Sequence, residues 1–113
     1  MLNHMVNSQS SDLDRAYAAL ADPTRRRIVA QLAAGPRTVG ELAAPLPMSL
    51  VAASKHIGVL AKAGLVSRSK DGRTQVCRLR PEGLRDATAW LDGYRDFWTA
   101  RLDALVDFLE ETP

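Results

Sequence analysis

A proline can open a helix but cannot sit within one, because it lacks an amide hydrogen and its ring clashes with the preceding turn. Pro23, Pro36, Pro45, Pro47, Pro81 and Pro113 therefore partition this chain before any other property is considered. The first eighty residues are cut into pieces that admit only brief elements. From Pro81 onward no proline intervenes until Pro113, so a single long helix is expected from Pro81 to about Glu110.

The residues around these breaks supply the caps. Residues 1–11 have no apolar period and are expected to form a flexible arm. Ser11 or Asp12 can cap a first helix in which Leu13, Tyr17 and Leu20 recur at helical spacing. Asp22 is a good N-cap and Pro23 a good first helical residue, since that position needs no amide hydrogen. The second helix turns Ile28, Val29 and Leu32 inward and stops at Gly35–Pro36. Thr38 caps a short third helix with apolar Val39, Leu42 and Ala43. Glu41 stands three residues after the cap, the capping-box spacing. Ser49 caps a fourth helix that runs to about Ala63 and ends at Gly64, with Ala53, Ile57 and Leu60 as its inner stripe.

The period then changes. Leu65–Val66 is apolar, Ser67–Lys70 is polar, and Asp71–Gly72 is a hairpin-turn dipeptide. Thr74–Arg80 follows with β-branched residues, so a two-stranded hairpin is predicted. In the last helix Leu84, Ala87, Leu91, Tyr94, Trp98, Leu102, Leu105 and Leu109 recur at three and four, and Trp90, Phe97 and Phe108 widen the stripe.

At 113 residues the chain is one domain, residues 12–113 after the arm. With 46% hydrophobic and 25% charged residues it is an ordinary globular composition, which excludes global disorder. No apolar run approaches the roughly 18 residues of a membrane span, and a signal-peptide layout is absent, so a cytoplasmic location is expected. Cys77 is the one cysteine and cannot form an intrachain disulfide. His4 and His56 are far apart, so a metal site would have to be built from carboxylates or shared between chains; no metal site and no cofactor are expected. No nucleophile–base pair, glycine-rich phosphate loop or paired catalytic acids stand at a defensible spacing, which argues against an enzyme.

The charge is unevenly spread. Residues 49–80 hold seven Lys/Arg against Asp71 alone, whereas residues 81–113 hold three against eight acids. The third and fourth helices, joined through Pro45–Met48, make a helix-turn-helix, and the hairpin is its wing. The expected fold is mainly α with a β-hairpin wing (α+β), a winged helix-turn-helix, and the basic segment falls on one face. Such a face suits double-stranded DNA: the fourth helix enters the major groove and the wing tip reaches phosphate. Thr38 and Ser49 are caps that can also touch phosphate. Leu50 and Val51, opposite the inner stripe, can meet thymine methyl groups, and Ser54 and Lys55 are base-edge candidates. His56 reads either as a packed histidine or as a phosphate contact. Arg68, Lys70 and Arg73 flank the wing turn and are phosphate candidates. Of Arg25, Arg26 and Arg27, one or two can reach DNA, and the others are expected to pair with acids.

Two runs carry a family resemblance. Ala19-Leu20-Ala21-Asp22-Pro23-Thr24-Arg25-Arg26-Arg27-Ile28 resembles the second-helix signature of the ArsR-type winged-helix repressors. Ser54-Lys55-His56-Ile57-Gly58-Val59-Leu60-Ala61-Lys62-Ala63-Gly64-Leu65-Val66 resembles their recognition helix and the turn after it. The resemblance spans about residues 14–110 and implies a homodimeric transcriptional repressor that binds a palindromic operator. The Tyr94–Trp98 region is similar to a branch that does not sense metals. Metal-sensing members commonly carry a Cys-x-Cys pair in the third helix, where this chain has Glu41-Leu42-Ala43-Ala44-Pro45-Leu46. Others use last-helix histidines, where this chain has only Asp103, Asp107 and Glu110. The identity of any small-molecule effector is left open.

The aromatic stripe of the last helix exceeds what so small a body can cover. Tyr17, Trp90, Leu91, Tyr94, Phe97, Trp98, Leu102 and Leu105 are accordingly expected to pack against a second copy, so that the chain dimerises through its terminal helices. The competing reading is a protein-interaction module that keeps the winged-helix scaffold without binding DNA.

Overall fold

The computed structural model describes residues 12–111. The expected arm over residues 1–11, with Ser11 and His4, lies outside the described residues. Helix α1 (residues 12–20) buries Ala16 and Ala19, while Leu13, Tyr17 and Leu20 are half-buried. Helix α2 (Pro23–Ala33) opens as its sequence dictates: the Asp22 carboxylate accepts from the Arg25 amide at 3.0 Å and Pro23 takes the first helical position. Strand β1 (Arg37–Thr38) leads directly into α3 (Val39–Ala43), and α4 (Leu50–Lys62) follows after the Pro45–Met48 turn. Strands β2 (Val66–Asp71) and β3 (Thr74–Leu79) form the wing, and α5 (Pro81–Glu111) completes the chain.

The sheet has three antiparallel strands in the order β1-β3-β2, not the two expected from the sequence. Arg37 pairs with Cys77 and Thr38 with Val76, so the base of the wing is fastened to the start of α3. The hairpin loop is Gly72–Arg73, with Asp71 paired to Thr74 as the last ladder residues. Gly72 has φ 66° and Arg73 is not in positive φ, the arrangement of a II′ turn. The loop therefore begins one residue later than the Asp-Gly reading predicts, and Arg73 stands at the extreme tip.

One core joins these elements. Ile28 and Leu32 of α2, Leu42 of α3, and Ala53, Ile57 and Leu60 of α4 close over Leu65, Val66 and Cys77. Fully burying each Ile or Leu contributes roughly 1.5–3 kcal/mol. The predicted inner stripe of α4 is thus its buried face, and this leaves the opposite face of that helix outward.

Among the described residues, the contacts of helix α5 with the body gather at its base. Ala87 is buried, and Gly83 and Leu84 are half-buried. The Tyr17 hydroxyl donates to the Ala87 carbonyl, the Tyr17 ring lies 5.7 Å from Trp90, and Trp90 lies 4.7 Å from Tyr94. Beyond these, the rest of the helix projects from the body. The radius of gyration is 19.0 Å, against about 13 Å for a compact chain of this length. At Gly83 a Cβ would stand 2.2 Å from the Gly64 carbonyl oxygen, a backbone atom that cannot swing aside. Gly83→Ala is expected to destabilise the fold by about 1–3 kcal/mol through this overlap, read as a lowered midpoint in urea. Gly93→Ala, with open space at the same point of its backbone, serves as the control.

Candidate nucleic-acid interface

The outward face of α4 is built by its cap and its stripe. The Ser49 Oγ accepts from the Ala52 amide at 3.1 Å, which leaves the hydroxyl hydrogen available for an acceptor in front of the helix. Leu50 and Val51 in the first turn are 56% and 66% exposed. Lys55 is exposed beside them, and Ser54 is half-buried on the side of the wing. Thr38 is engaged differently. Its Oγ1 accepts from the Glu41 amide at 3.1 Å, while its own amide donates to the Glu41 carboxylate at 3.0 Å, the predicted capping box. Those bonds from Thr38, with the nearby Arg37 charge, hold the Glu41 carboxyl below its ordinary value.

On the wing, Lys70 and Arg73 are exposed at the tip. Arg68 faces Cys77 on β3, well back from the turn. Its guanidinium crosses to α4 and donates to the Ser54 carbonyl, over Gly58, where an added Cβ would lie 3.6 Å from Nη2. Arg68 is therefore a strut between wing and helix, whereas Lys70 and Arg73 are presented to solvent. Arg78 lends a similar link within the wing, donating to the Ser69 hydroxyl at 3.0 Å.

His56 faces the other flank of α4. Its Nδ1 lies 3.3 Å from Arg25 Nη1 and 3.9 Å from an Asp22 carboxylate oxygen. Arg25 also donates from Nε to the Ala19 carbonyl at 2.6 Å and from Nη2 to the Ala18 carbonyl at 3.2 Å. Arg26 donates to the Leu20 and Ala21 carbonyls at 2.8 and 2.9 Å. Arg25 and Arg26 thus bond backbone carbonyls at the end of α1 and in the turn that follows it. For Arg25 and Arg26 this corrects the expectation of pairing with acids, because carbonyls at the helix end are the nearer acceptors. The Asp22 carboxyl is held below its ordinary value chiefly by the Arg25 amide, with the Arg25 charge and His56 adding to it.

Two further residues join the face without a signal in the sequence. Val39 and Gln75 line a cleft of about 440 Å³ together with Leu50, Val51, Ser54 and Lys55. Gln75 arrives there because β1 pairing sets β3 beside the start of α3, a long-range juxtaposition that no local pattern announces. Arg15 and Lys62 border a second groove, of about 570 Å³, along the other side of α4. Cys77 is buried, and desolvation pushes its thiol above the ordinary value despite the opposing charge of Arg68. It is a protonated core side chain at neutral pH. Among the described residues no group of three His, Cys, Asp or Glu stands where it could hold a metal ion, and no helix is long and apolar enough to cross a membrane. On α5, Trp90, Leu91, Tyr94, Phe97, Trp98, Leu102 and Leu105 are all exposed in the single chain.

A capped helix whose outer face is bare, a short helix before it, and a basic hairpin beside it define a winged helix-turn-helix DNA-binding domain. A model described as a helix-turn-helix domain matches residues 20–68. The HTH-type transcriptional regulator Rv2034 of Mycobacterium tuberculosis is 45% identical over 97 residues, covering 86% of this chain and 88% of that one. The crystal structure of an ArsR family transcriptional regulator superposes with a TM-score of 0.74 at 38% identity, over 80% of this chain and 93% of the other. The homodimeric winged helix-turn-helix DNA-binding domain Mb0332 from Mycobacterium bovis matches with a TM-score of 0.65 at 27% identity, over 80% and 86%. This chain belongs to the ArsR family: it is a DNA-binding transcriptional regulator.

Proposed function

We propose that this protein is a homodimeric repressor that reads a palindromic operator without a metal signal. The observation that carries the reading is the pairing of an outward α4 face with an α5 whose apolar residues from Trp90 to Leu105 are exposed among the described residues. Two copies joined along α5 and Tyr17 of α1 present two recognition helices. Two such helices at a fixed separation read half-sites about one helical turn apart, roughly 34–36 Å. The solved homodimeric relative supports pairing of this kind.

Within each half, Ser49 and Thr38, the caps of α4 and α3, donate their hydroxyls to phosphate. Ser54 and Lys55 approach base edges, with the Lys55 ammonium suited to guanine O6 and N7. Lys70 and Arg73 hold the flanking backbone. Arg68 and His56 act from behind, fixing α4 against the wing and against α2. Repression follows from occupancy of the operator. The carboxylates of α5 lack the soft or imidazole donors that transition-metal sites use, so the releasing signal is of another kind.

Titration of duplex DNA at several salt concentrations tests the reading. Each neutralised phosphate releases counterions, so affinity falls steeply with salt for a DNA-binding face. With several phosphate contacts per dimer, a loss of at least tenfold between 50 and 200 mM salt is expected, and added zinc should leave affinity unchanged. A chain that binds no duplex at low salt would be the interaction module instead.

A further inference from the structure

We propose that the cleft between α4 and the wing reads an A·T base pair, with the thymine methyl against Leu50 and Val51 and the adenine edge toward Gln75. The inference rests on the DNA-binding reading above and names the chemistry of one operator position. Leu50 and Val51 are more than half exposed, and Val39 continues their apolar surface. Water is a poor neighbour for two adjacent aliphatic side chains at the first turn of a reading helix. In the major groove the apolar group a base pair displays is the 5-methyl of thymine. The same pair displays a donor at adenine N6 and an acceptor at N7, a pattern that an amide matches with both its atoms. Gln75 supplies the amide on the rim of the cleft.

The surroundings select this occupant. Lys55 lines the cleft, Lys70 is the β2 partner of Gln75, and Arg73 stands at the wing tip. An apolar floor ringed by cations suits the base edges of a polyanion better than a neutral apolar peptide. The cleft is also continuous with the outer face of α4, since Leu50, Val51, Ser54 and Lys55 belong to both.

The test uses the whole chain and an operator selected from random duplexes. Each thymine of the half-site is replaced in turn by deoxyuridine, which keeps every hydrogen bond and removes only the methyl. At one or two positions affinity should fall about fourfold per methyl, the value of one buried methyl-sized group. The Leu50→Ala, Val51→Ala double variant should bind thymine and uracil duplexes equally, with its circular dichroism unchanged because both positions are exposed. Gln75→Ala should keep the thymine–uracil difference at the mapped position, while its preference for A·T over G·C there narrows to about the fourfold that the methyl supplies. Equal binding of thymine and uracil duplexes by the unmodified chain overturns the proposal while leaving the regulator reading intact. Failure of the unmodified chain to bind any duplex overturns the regulator reading itself.

Discussion

Replacing Trp98 and Leu102 by glutamate is expected to abolish pairing and, with it, most of the affinity for the operator. Both side chains are 59% exposed in the single chain and lie on one stripe of α5. A second copy is the simplest cover for them, and four glutamates facing one another across that cover cannot be desolvated together. Two linked recognition helices gain roughly 10²–10⁴ in avidity over one, so an operator affinity lower by about that factor is expected. Sedimentation should show a single chain, with helix content falling if α5 frays once uncovered. The result that would sink the dimer is a stable, folded monomer of the unmodified chain at micromolar concentration.

The second large effect separates reading from anchoring. Lys55 stands on the outward face of α4, opposite the buried Ala53, Ile57 and Leu60. Arg73 stands at the tip of the wing. Loss of a base contact costs roughly 1–3 kcal/mol at one base position, whereas loss of a phosphate contact weakens all sequences alike and flattens the salt slope by about one. Lys55→Ala should therefore reduce the preference for operator over random DNA by about 5- to 150-fold, with random binding little changed. Arg73→Ala should weaken both by a similar factor. Titration of each variant on both DNAs at two salt concentrations decides the matter. If Arg73→Ala alters specificity and Lys55→Ala only affinity, the wing is the reading element.

Features encoded by neighbours along the chain were legible before the fold was known. Asp22–Pro23, Thr38 with Glu41, and Ser49 are caps because each side chain bonds an amide three residues on. The α4 stripe was legible because Ala53, Ile57 and Leu60 repeat at helical spacing. Features that need two distant segments were not. Strand β1 is two residues long and has no period to read; only its ladder to Val76 and Cys77 defines it. Arg68 reads in the sequence as a phosphate candidate flanking the wing turn, and nothing local announces that its side chain spans to the Ser54 carbonyl on α4. His56 and Arg25 lie 31 residues apart and meet at 3.3 Å. Charge counting could not foresee that carbonyls, rather than carboxylates, would receive Arg25 and Arg26.

The close approach of Gly83 to Gly64 has a consequence for how such a molecule could be tuned. Gly64 follows the end of α4 and Gly83 lies in the first turn of α5, so the two helices meet backbone to backbone at the point where α5 leaves the body. Tyr17, bonded to the Ala87 carbonyl one turn further along, braces α5 just beyond that meeting point. In a paired molecule the spacing between the two reading heads then becomes a property of the angle at which two such levers cross. A tilt of a few degrees there is amplified along a helix about 46 Å long. For the proposed dimer, the distance between half-sites would thus be an angular variable, and whatever wedges or relaxes the levers would change which spacings of DNA the pair can span.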